Sequence, residues 1–69
     1  MSIVKVIEVI SEGKNVDDAI ANALKEAALT ITDIKQVNVE HIEAIVEKNK
    51  ITKIRVHAKV SFLVDHSKK

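Results

Sequence analysis

The sequence predicts an α+β domain of order β-α-β-β, in which a three-stranded antiparallel sheet packs on one helix. Two patterns carry this. Residues 54–64 alternate: Ile54, Val56, Ala58, Val60, Phe62 and Val64 are apolar, with Arg55, His57, Lys59 and Ser61 between the first five, the two-residue period of a half-buried strand. Residues 16–31 instead repeat apolar side chains at three- and four-residue steps, through Val16, Ala19, Ile20, Ala23, Leu24, Ala27, Ala28 and Ile31, which is one face of a helix.

Each element has its own justification. "IVKVIEVI", residues 3–10, is too short and too β-branched for a helix and reads as the first strand. It ends in "SEGK", at Gly13, the only glycine. Asn15 is placed to cap the helix, and Asp17 and Asp18 follow where the helix dipole favours negative charge. Alanine dominates the helical stripe, so the helix can approach a sheet closely. A second strand is expected from about Ile34 to Val46, and "EKNK", residues 47–50, as the turn, with Asn49 tolerant of the left-handed conformation.

A turn that sets Glu47 opposite Lys50 puts Val39 against Ala58 and Val37 against Val60 on the helix side. The other side then carries Glu40 opposite His57, Asn38 opposite Lys59 and Gln36 opposite Ser61. The sheet is expected to have one apolar and one polar face. By the same parity His41 falls on the apolar side and His57 on the polar side. With His66 in the tail, the three histidines do not converge, and no metal-binding residue is assigned within the chain.

With 69 residues, residues 1–69 make a single domain whose core is marginal. The chain has no cysteine, so neither disulfides nor thiolate metal sites can supplement that core, and self-association is the expected remedy. A net charge of +1 with one aromatic residue, Phe62, gives no sign of nucleic acid or an anionic membrane as partner. No apolar stretch is long enough to span a membrane and no signal-like start is present, so the cytoplasm is the expected compartment. Asp17 and Asp18 point about 100° apart on a helix and read as first-turn capping charges, not as a catalytic pair. No nucleophile motif, P-loop or dinucleotide fingerprint occurs, and the chain is not expected to be an enzyme.

The segments "VKVIEVI", "NVDDAIANALKEAALTITDI" and "IRVHAKVSF", in this order and spacing, make residues 3–64 resemble the dodecins. These are small β-α-β-β proteins that assemble into hollow dodecameric shells and bind flavins. The resemblance implies a homo-oligomer, a dodecamer, that binds or stores a small molecule, with FMN or riboflavin as the family's ligand. It places Gln36 where flavin-binding members stack a tryptophan on the ring. It places Arg55 where they use a glutamine on the ring edge. An aromatic stacking partner is worth about 1–3 kcal/mol, so its loss weakens flavin roughly ten- to over a hundredfold. Arg55 can compensate by stacking or by pairing with a phosphate, or it can pair with Glu40 and close the pocket. Two alternatives therefore stand beside flavin. One is a flavin-free shell binding a phosphate-bearing ligand, or a cation such as calcium held by copies of Glu40, Glu43 or Asp65. The other is an adaptor that pairs its sheet edge with a protein partner.

Overall fold

A computed structural model describes residues 2–65, with side chains over 3–64. The element order is β1 (Ser2–Gly13), α1 (Val16–Ala28), β2 (Ile34–Glu47) and β3 (Lys50–Asp65). The sheet has the order β1-β3-β2 and is antiparallel throughout. The alternating strand is thus the central one, hydrogen-bonded on both edges.

The strands are longer than the apolar runs suggest. β1 continues past Ile10 because Ser11, Glu12 and Gly13 keep pairing with Val56, Arg55 and Ile54. Pairing across the sheet, rather than hydrophobicity, sets where this strand ends. β3 begins at Lys50, directly after the turn, because Glu47 pairs with Lys50 as expected. Lys48 and Asn49 both have positive φ, 53° and 64°, which matches the twist of a two-residue hairpin.

α1 starts where its cap predicts. Asn15 is extended (φ −149°, ψ −179°) and its Oδ1 accepts the Asp18 N–H at 2.7 Å. Asp18 Oδ2 in turn accepts the Lys14 N–H at 2.9 Å. Gly13 is required by this close approach, since a Cβ there would lie 2.5 Å from the Ala19 nitrogen. The helix ends at Ala28 rather than Ile31, because the N–H groups of Leu29 and Thr30 bond three residues back, to Glu26 and Ala27, tightening the last turn.

Ala19, Ala23 and Ala27 form the buried line of α1, which packs on β1 and β3, and Val56, Ala58 and Val60 are the buried positions of β3. The helical stripe is therefore narrower than its apolar residues: Leu24 stays 42% exposed, and Leu29, just past the helix, 73%. No helix among the described residues is long and apolar enough to cross a membrane.

The register of β2 against β3 departs from a single continuous pairing. Gln36, Val37, Asn38 and Val39 oppose Ser61, Val60, Lys59 and Ala58 as expected. A bulge at Glu40 then brings His41, not Glu40, opposite His57, and sets Ile42 against Val56 and Glu43 against Arg55. One inserted residue reverses the side on which the next side chains fall, until the register shifts again between Ile45 and Val46. His41 therefore lies on the polar face, not the apolar one.

Candidate functional site

The sheet face turned away from α1 is the candidate site. Its side chains come from alternate positions of β1 and β3, and from β2 as the bulge re-aims them. Across the three strands it carries the rows Glu12–Arg55–Glu43, Ile10–His57–His41, Glu8–Lys59–Asn38 and Val6–Ser61–Gln36. The first row is the most tightly held. Arg55 donates from Nε and Nη2 to Glu12 Oε2 at 3.0 and 2.8 Å, while Lys53 Nζ sits 3.0 Å from the other Glu12 oxygen. The Arg55 hydrogen bonds, with Lys53 beside them, hold the Glu12 carboxyl below its ordinary value of 4.5. Arg55 also faces Glu43 at 4.0 Å. Arg55 does not pair with Glu40, the alternative that would close the pocket; Glu40 instead takes Asn38 at 3.0 Å and Lys59 at 3.6 Å.

The second row contains a contact that the parity argument missed. His41 and His57 stand edge to face with ring centroids 5.7 Å apart. His57 Nε2 lies 3.0 Å from Glu43 Oε1, and this bond is the main reason the Glu43 carboxyl is lowered from 4.5. The expectation that these histidines stay apart, and that His57 pairs with Glu40, is thus corrected, and the bulge is the cause. The signal was in the sequence. The apolar residues of β2 change parity between Val37/Val39 and Ile42/Ala44, the mark an inserted residue leaves. His66 and the Asp65 side chain lie outside the described residues.

Gln36 and Arg55 share this face but do not meet. Gln36 is exposed and opposite Ser61, six residues along β3 from Arg55, or about 20 Å at strand rise. One planar ring cannot touch both within a protomer. Between them lies a shallow depression of about 330 Å³, lined by Glu8, Ile10, Glu40, His41, His57 and Lys59.

A protein-family model described as Dodecin matches residues 3–65. The chain belongs to the dodecin family. Solved dodecins have the same fold. The dodecin of Streptomyces davaonensis gives a TM-score of 0.87 at 23% identity, over 94% of this chain and 97% of that one. The dodecin of Streptomyces coelicolor gives 0.88 at 23% identity, with 94% of each chain covered. A single-residue variant of the Thermus thermophilus dodecin gives 0.88 at 19% identity, over 96% of this chain and all of that one. Comparison with curated proteins gives no match. At these identities the likeness to other dodecins carries the fold and leaves the ligand to be argued from the sheet face.

Proposed function

We propose that this dodecin is the subunit of a non-enzymatic, cytoplasmic homo-oligomer, a dodecamer, that binds or stores a small planar molecule on its sheet face, with riboflavin or FMN as the ligand. The observation that carries this reading is the split site. Gln36 and Arg55 lie on one face about 20 Å apart, so a site using both residue types needs a second copy of the chain. Arg55 offers a guanidinium plane for a ring edge or carbonyl, and its ion pair with Glu12 fixes its orientation. A second reading rests on the same ion pair. An Arg55 already neutralised by Glu12 and faced by Glu43 has less charge to offer a flavin phosphate, and Gln36 cannot stack as an aromatic ring does. A flavin-free assembly that takes a calcium ion fits those two facts.

The purified assembly is first denatured and checked for released flavin, then titrated with riboflavin and FMN while flavin fluorescence is followed. Saturable quenching, weakened in Arg55→Ala, is the expected result. Affinity should be ten- to over a hundredfold below that of an aromatic-stacked site. Absence of quenching at high protein concentration overturns the flavin reading. A thermal shift on adding calcium would then support the second.

A further inference from the structure

We propose that His41 and His57 form the two-imidazole core of a binding site for a divalent transition cation, zinc in the first instance, on the sheet face. The inference goes beyond the flavin reading and does not depend on it. Three features of the structure carry it.

The first is geometry. Two imidazoles that share one zinc at the usual Zn–N distance of ~2.0–2.1 Å have ring centroids roughly 5 Å apart at a tetrahedral angle. His41 and His57 stand at 5.7 Å, within a small side-chain rotation of that spacing. They sit directly opposite each other on adjacent antiparallel strands, so both backbones are fixed by the ladder and little ordering remains for the cation to impose.

The second is the orienting carboxylate. Glu43 Oε1 lies 3.0 Å from His57 Nε2. A carboxylate only accepts, so the neutral ring donates from Nε2 and carries its free lone pair on Nδ1. A carboxylate behind a ligating histidine fixes the tautomer and makes the ring a better ligand. The bulge at Glu40 creates the arrangement, because it turns His41 and Glu43 onto the face that His57 occupies.

The third is space and charge. The depression of about 330 Å³ is lined by both histidines, which leaves room for the cation's remaining ligands. Glu8 and Glu40 line it as well, against the single cation Lys59, itself 3.6 Å from Glu40. No three ligating side chains converge among the described residues. The remaining positions therefore fall to water, to a movement of Glu8 or Glu40, or to a second copy. Imidazole selects zinc, copper and nickel over calcium and magnesium, which prefer oxygen.

The test is a titration of the assembled, chelator-treated protein with Zn²⁺ alone, followed by calorimetry and by melting temperature. Expected are saturable binding and a rise in melting temperature, since the cation binds the folded form, with no competition from excess Ca²⁺. His57→Ala and His41→Ala should each weaken binding at least about tenfold. Glu43→Gln should weaken it about 10–100-fold, read by calorimetry below the variant's own melting temperature. His66→Ala should leave binding unchanged. Should His57→Ala fail to fold, His41→Ala, on the exposed edge strand, decides alone. Zinc binding that survives both histidine variants, or that is lost in His66→Ala, overturns the proposal, as does the absence of binding in the parent protein.

Discussion

Glu12 shows how one side chain ties the sheet together. It receives two N–H groups from Arg55 and the ammonium of Lys53, and its backbone oxygen accepts the Asn22 amide of α1 at 2.9 Å. These cations hold its carboxyl below 4.5 in the folded protein. A depressed folded-state value stabilises the native form above the unfolded value, and that contribution is lost as pH falls through the folded one. Stability should thus decline from about pH 5 downward. Glu43, lowered chiefly by His57, adds a contribution of the same sign. In Glu12→Gln the melting temperature should be lower at pH 7 and should fall less steeply on acidification, with the Glu43 part remaining. Melting curves from pH 7 to pH 3 for parent and variant check this. Equal slopes would show that the Glu12 ion pairs do not couple to folding.

At the scale of elements, local chemistry was more legible than register. The N-cap of α1 is a sequence-level feature that the structure reproduces, with Asn15 accepting the Asp18 N–H. Asn15→Ala removes that acceptor and should cost about 1 kcal/mol in a denaturant titration, while Asn15→Ser should cost little. The order β-α-β-β and the turn at Lys48–Asn49 were equally visible, because each depends on neighbouring residues. The ends of β1 and the partner of Arg55 were not, since Glu12 and Arg55 are 43 positions apart and only the β1–β3 pairing joins them. The bulge lies between these cases. Its trace is the parity change from Val39 to Ile42, but the closing Ile45–Val46 run fits either parity and masks it. A single continuous register accommodates that run, and in it the two histidines fall on opposite faces.

For the whole molecule the mismatch in element lengths decides what the protomer lacks. A helix of 13 residues is about 20 Å long, whereas the 16 residues of β3 extend for about 53 Å. One helix covers less than half of that sheet. Among the described residues the buried apolar side chains are accordingly few: three alanines of α1 and Val56, Ala58 and Val60. Val4 and Ile10 remain more than 60% exposed on the polar face, and Ile42 is 55% exposed on the helix-facing side of the sheet. The Cα radius of gyration is 14.5 Å, against about 11 Å for a compact chain of this length. Covering a Val, Leu or Ile is worth about 1.5–3 kcal/mol, so association with other copies offers the largest stabilisation open to this chain. Light scattering during size exclusion should give about 91 kDa, twelve copies of 7.6 kDa. Ile42→Asp places a charge where a neighbouring copy would seal the sheet. It should shift the protein to smaller species and lower its melting temperature, which should then rise with protein concentration. A parent protein that elutes at the mass of one chain, with a melting temperature independent of concentration, would remove the need for a second copy and with it the split site of Gln36 and Arg55.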